Sequence, residues 1–200
     1  KGILNVIAQI NNTTLEDEYL TEGFLLMAPT GRAAKRMSES TGLKAYTIHK
    51  ALGYNYESQF SYNEDNPLSA SLIIIDESSM IDINLATNLF KAISIHTKVI
   101  IVGDEFQLPS IGPGNVLHDL IESKFLSVSK LVDIMRQSSD SDIIKLSTDI
   151  RNQDVDFSRY KEKKEVIYYD CDSMDVPKLL ESFVKNFLDK GGNLQTDLQI

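Results

Sequence analysis

Short apolar runs alternate with amphipathic stretches along the first 130 residues. Phe24-Leu-Leu-Met-Ala28, Leu72-Ile-Ile-Ile75 and Val99-Ile-Ile-Val102 are each four or five residues long, and turn residues or carboxylates stop them. Continuous apolar runs of that length predict strands buried on both faces of a parallel sheet. Helical patterns lie between them. Residues 1–10 form one amphipathic face, and Arg32–Glu39 another with Gly42 as its stop. A short helix starts after Thr47, one runs from Asp82 to about Ile95, and one covers roughly Asn115 to Ser123. Thr30, Thr47 and Asp82 are the natural N-caps, because their side-chain oxygens accept the unpaired N–H groups of a first turn. Strands alternating with helices predict an α/β fold with a mostly parallel sheet.

The pattern changes further on. A helix is expected over Ser138–Asn152, then a polar linker over Asp154–Lys164 and a strand over Glu165–Asp170. Asp172–Lys190 is the clearest amphipathic helix, with Val176, Leu179, Leu180, Phe183, Val184, Phe187 and Leu188 on one face. Asp197–Ile200 looks like a further strand. Gly53–Pro67 alternates aromatic and polar residues (Tyr54, Tyr56, Phe60, Tyr62) and predicts a β-hairpin inserted before the second apolar run. Its aromatics either stack on bases or cover a small core of their own.

Composition adds three constraints. No apolar run approaches the roughly 20 residues of a membrane span. The single cysteine, Cys171, excludes an internal disulfide framework, and no Cys/His cluster suggests zinc. A reducing cytoplasm is the expected compartment. The net charge of −9 argues against a generally basic coat for nucleic acid. Residues 31–50, however, hold Arg32, Lys35, Arg36, Lys44 and Lys50 against Glu39 alone. That is a local +4, which leaves −13 for the rest of the chain. A basic segment on an acidic body fits either a phosphate contact or a solvated helix face.

Asp76 and Glu77 end the second apolar run, at the carboxyl end of a strand where open α/β sheets bind ligands. If the strand continues, the two side chains point to opposite faces. One such carboxylate can hold Mg²⁺ and the other can orient or deprotonate a water; a buried strand leaving through a polar turn reads the same way. Pro29-Thr30-Gly31-Arg32 turns from strand to helix beside basic groups, an arrangement that binds phosphate at a helix N-terminus. His49 suits either a phosphate or base contact, or packing.

The order of these segments is more specific than any one of them. Ala28-Pro-Thr-Gly-Arg-Ala-Ala34, Thr47-Ile-His49, Ile75-Asp-Glu-Ser-Ser-Met80, Val102-Gly-Asp-Glu-Phe-Gln-Leu-Pro109 with Gly112-Pro-Gly114, and Arg136-Gln137 follow one another. Together they resemble the RecD-like superfamily 1 DNA helicases, the exodeoxyribonuclease V alpha-subunit family, over about residues 1–152. The resemblance implies a RecA-like P-loop NTPase sheet with helices on both faces, plus the beginning of a second RecA-like lobe. It implies a first motor domain over 1–130 with the hairpin at about 53–67, a connecting helix and linker over 131–164, and the start of a second domain over 165–200. It implies ATP and Mg²⁺ as cofactors. Asp76 would coordinate the metal, Glu77 would activate water, Gln107 with Asp104 would sense the γ-phosphate, and Arg136 would reach it across the cleft. Pro29, Thr30, Gly31 and Arg32 would grip the single strand, and Thr47 and His49 would add a DNA contact. The implied partners are single-stranded DNA, duplex ends, and nuclease or helicase subunits, with no membrane. The implied activity is 5′–3′ unwinding in recombination and repair.

Two features depart from the family. No G-x-x-x-x-G-K-[ST] phosphate cradle occurs in the 200 residues, and Phe106 and Met135 replace a polar and an aromatic residue common in relatives. The expectation is therefore a fragment, inactive alone, with an apolar groove open beside Ile73–Ile75 and Ile100–Val102. Other readings stay open: a PIF-type helicase or the helicase part of a conjugative relaxase, an RNA-directed helicase, or an inactive motor lobe that serves as a binding module in a nuclease complex.

Overall fold

The computed structural model describes residues 1–55, 60–131, 141–161, 163 and 165–194. The chain divides into two units, Lys1–Lys130 and Leu131–Ile200. The first contains α1 (Gly2–Ile10), α2 (Glu18–Glu22), β1 (Phe24–Ala28), α3 (Gly31–Thr41), β2 (Ala45–Thr47), α4 (Ile48–Ala51), β3 (Leu72–Ile75), α5 (Ile83–Lys91), β4 (Lys98–Ile101) and α6 (Val116–Glu122). The second contains α7 (Asp142–Arg151) and α8 (Val176–Asp189).

The four strands form one sheet in the order β2-β1-β3-β4, and every neighbouring pair is parallel. Alternation along β3 divides the core. Ile73 and Ile75 pack with Met27, Ile48, Leu52, Leu85 and Leu89 on one face. Leu72 and Ile74 pack with Leu4, Leu26 and Met37 on the other. Helices therefore cover both faces, as the apolar runs predict. All four β3 residues are buried, and each such side chain contributes about 1.5–3 kcal/mol relative to exposure. The expected caps form. Thr30 Oγ1 accepts from Ala33 N at 3.2 Å, Thr47 Oγ1 from Lys50 N at 3.2 Å, and Asp82 Oδ1 from Leu85 N at 2.8 Å. Gly42 ends α3 with φ +82°, and its N–H donates to Ser38 O.

Four expectations change within the first unit. β2 is an unforeseen three-residue edge strand, too short to show a pattern; α3 and β1 hold it, and Ser38 Oγ accepts from Ala45 N at 2.9 Å. Lys98–Val102 is not buried on both faces. β4 ends the sheet, its Lys98 is exposed and its three isoleucine and valine residues are half-buried. Ile73–Ile75 has no open side, because β1 and β4 pair with its two edges; among the described residues the unpaired edges belong to β2 and β4. Asp76 and Glu77 do not continue the strand, since Glu77 adopts a left-handed conformation.

At the expected hairpin, Tyr54 and Phe60 form an antiparallel bridge. Phe60 and Tyr62 pack against the core, while Tyr54 is exposed. Residues 56–59 lie outside the described set.

In the second unit, Glu165 accepts from Ser141 Oγ at 2.7 Å and from Asp142 N at 2.9 Å, closing the start of α7. Tyr160 is buried and donates to Asp149 Oδ2 at 2.7 Å. Burial, and then this carboxylate, push its hydroxyl above the usual tyrosine range. Glu165–Asp170 is not a strand. Among the described residues no strand lies beside it, and β conformation needs a partner to take its backbone bonds. Neither α7 nor α8 buries a residue fully. The strand expected at Asp197–Ile200 falls outside the described residues.

Candidate functional site at the carboxyl edge of the sheet

A parallel sheet puts all its carboxyl ends on one edge. Adjacent strands are about 4.8 Å apart, so four separate sequence segments become neighbours. In spatial order they are Thr47–His49 after β2, Pro29–Arg32 after β1, Asp76–Glu77 after β3, and Gly103–Gln107 after β4.

The turn after β3 is tightly held. Asp76 N donates to Met27 O at 2.9 Å, which ties it to β1, and Ser78 N donates to Val102 O at 3.1 Å, which ties it to β4. Asp76 Oδ1 accepts the Glu77 N–H at 3.0 Å. Glu77 has φ 53° and ψ 39°, a conformation that costs a residue with a Cβ about 1 kcal/mol or more. Both carboxylates are half-buried, and among the described residues that of Glu77 has no hydrogen bond or ion pair. Ser78 and Ser79 beneath them are buried, with hydroxyls that lack a partner among the described residues. Gly103 makes the close approach possible, since a Cβ there would collide with the Ser78 hydroxyl and with Leu117 Cδ2.

The turn after β4 is looser. Asp104 Oδ1 accepts from Phe106 N at 3.0 Å, and Gln107 N donates to Asp104 O at 3.2 Å. Gln107 itself is exposed. Glu105 is engaged: Lys130 Nζ lies at 2.6 Å and His118 Nδ1 at 3.9 Å from its carboxylate. Nothing in local spacing announces that pair, because Lys130 is far along the chain. Gly112 and Gly114 let the following loop lie against the start of α5, where Ile83 N donates to Pro113 O at 2.8 Å.

The other half of the edge is basic. Thr30 caps α3, and Gly31 leaves open space at its first turn. Arg32 is exposed, with no carboxylate within ion-pair reach among the described residues. His49 is exposed too, its ring 5.3 Å from that of Tyr54 and 6.0 Å from that of Phe60. That environment favours a ring held by aromatics at the surface over core packing. Lys44 and Lys50, two members of the basic 31–50 segment, both lie over the Tyr46 ring, at 5.2 and 5.7 Å from its centroid. Contacts of that kind contribute about 0.5–1 kcal/mol each at exposed positions. Lys44 lies just before β2 and Lys50 within α4, so strand alternation does not announce their meeting at this ring.

The structure thus brings together Pro29, Thr30, Gly31, Arg32, Thr47, His49, Asp76, Glu77, Asp104 and Gln107 on one edge. Arg136 lies outside the described residues.

Acidic tips on two adjacent parallel strands, beside capped helix starts, make this an open α/β domain with its polar residues gathered where such sheets bind ligands. A family model described as an AAA domain matches residues 1–113, more than half of the chain, and the chain belongs to that family. The chain is 38% identical over 119 residues to the ATP-dependent RecD2 DNA helicase of Deinococcus radiodurans, covering 60% of this chain and 16% of that protein. It is 36% identical over 115 residues to the RecBCD enzyme subunit RecD of Mycolicibacterium smegmatis, covering 48% and 21%. It is 37% identical over 106 residues to DNA helicase B of Mus musculus, covering 50% and 10%. The resemblance to RecD-like helicases is borne out. The chain spans about a fifth or less of the length of these relatives. Among the described residues no helix is long and apolar enough to cross a membrane.

Proposed function

We propose that this chain is part of an ATP-dependent helicase or translocase that moves on single-stranded DNA, 5′ to 3′, in cytoplasmic recombination and repair. One observation carries the reading. The strand order sorts the edge into a basic half at β2 and β1 and an acidic half at β3 and β4, with Thr30–Arg32 and Asp76–Glu77 on neighbouring strands. A strand-gripping segment and a hydrolytic acid so placed are coupled through the Asp76 N–H bond to Met27 O.

The donor set suits a metal that arrives with a nucleotide. Among the described residues no three His, Cys, Asp or Glu gather into a complete metal site. Mg²⁺ typically takes only one or two carboxylates plus phosphates. Asp76 would hold that Mg²⁺, which supplies charge neutralisation at the phosphates. Glu77, strained and unpaired among the described residues, orients and deprotonates the attacking water. Asp104 and Gln107 read the terminal phosphate, and Arg136 is assigned to the transition-state charge by its motif. Thr30, Gly31 and Arg32, with Pro29 setting the turn, and Thr47 and His49 hold the strand. A motor domain over 1–130, a connector over 131–164 and the start of a second lobe over 165–200 belong to the same proposal. So do nuclease or helicase partner subunits; one relative is itself named as a subunit of an enzyme. The G-x-x-x-x-G-K-[ST] cradle is not among these 200 residues, so the chain by itself is proposed to be inactive.

The test is ATP hydrolysis by the full-length protein with and without oligo(dT). DNA-stimulated turnover that falls about 10²–10⁴-fold in Glu77→Gln supports the reading. Tight DNA binding without turnover would replace it with an inactive binding lobe.

A further inference from the structure

Tyr46 sits on the edge strand of the sheet, one residue before Thr47. Its ring is half-buried, and two exposed lysines converge on it, Lys44 from the residue just before the strand and Lys50 from α4. The Lys50 N–H is itself held by the Thr47 cap. Among the described residues neither ammonium has a carboxylate within 4 Å. Two like charges gathered at one ring, in a chain of net −9, are not explained by internal pairing.

We infer that Lys44 and Lys50, gathered over Tyr46, form a two-lysine clamp for the phosphates of single-stranded nucleic acid. It extends the contact surface of Thr47 and His49 around the β2 edge. The inference rests on the function proposed above and names a further part of its strand-binding surface. The ring's role is positional. It restrains two long side chains that would otherwise lose rotamer freedom on binding. Lysine suits the task, because it meets phosphate as a point charge and needs no planar geometry.

The test is anisotropy of labelled oligo(dT) with the full-length protein, without nucleotide, over a range of salt. Each lysine at a phosphate contributes about 0.7 to the slope of log K against log salt. Lys44→Ala with Lys50→Ala should therefore flatten the slope by about 1.4. Lys44→Arg with Lys50→Arg should retain it. Tyr46→Leu should weaken binding several-fold with the slope intact, and Tyr46→Phe should not. An unchanged slope in the double alanine variant, with a flattened one in Arg32→Ala, overturns the clamp and leaves the proposed function standing. Unaltered affinity in Tyr46→Leu overturns the ring's part. No salt-dependent binding to oligo(dT) by the parent protein overturns both the clamp and the strand-binding reading beneath it.

Discussion

The turns after β3 and β4 carry the same dipeptide. Asp76-Glu77 follows one and Asp104-Glu105 the other, and in both turns the aspartate accepts a backbone N–H from a residue just after it. Their surroundings differ. β3 is interior, its turn is tied to strands on both sides, and Glu77 between those ties is left-handed, with its carboxylate unpaired among the described residues. β4 lies at the edge, and Glu105 is paired with Lys130, with His118 Nδ1 3.9 Å away. Position in the sheet, rather than residue type, leaves one glutamate available for chemistry and commits the other to structure.

The widest separation should appear in turnover. Glu77→Gln should lower DNA-stimulated ATP hydrolysis by about 10²–10⁴-fold. Glu105→Gln should stay within a few-fold, since an ion pair whose lysine end is exposed contributes about 0–1 kcal/mol. Equal losses in both would erase the distinction. Stability should follow the same contrast. Ile75→Ala should cost about 2–5 kcal/mol in denaturant unfolding, and Ile101→Ala, half-buried on the edge strand, clearly less. The contact between the two turns should be worth less again. Gly103→Ala pushes a methyl into Ser78 and Leu117 and should cost about 1–3 kcal/mol; a neutral result would mean that the turns are not clamped together. The smallest effect has the opposite sign. Glu77→Gly should raise stability by about 1 kcal/mol by removing left-handed strain while abolishing turnover. A destabilised Glu77→Gly would show that the carboxylate, and not the backbone, holds that turn.

Most of the first unit is legible along the chain because its signals are local. β1 is expected and found over Phe24–Ala28, and Thr30, Thr47, Asp82 and Gly42 act as the caps and stop that their side chains and backbone freedom dictate. The misreadings are long-range. Val99–Val102 has the apolar run of a central strand, but its burial depends on neighbours that the run does not encode. Glu165–Asp170 has β-forming residues but no strand beside it among the described residues. The Asp172–Lys190 pattern does form a helix over Val176–Asp189, yet Val176, Leu180, Phe183 and Leu188 stay 40–45% exposed. Periodicity shows which face is apolar, not what covers it.

The sequence by itself determined the elements, the order of the motifs and the residue types available for chemistry. Hydrogen bonds within four residues and side-chain shape are properties of neighbours in the chain. Only the tertiary structure decided which carboxylate stands free, which strand is interior, and that basic and acidic tips occupy opposite halves of one edge. Those outcomes depend on the strand order β2-β1-β3-β4, which is selected by burying both faces of the sheet at once.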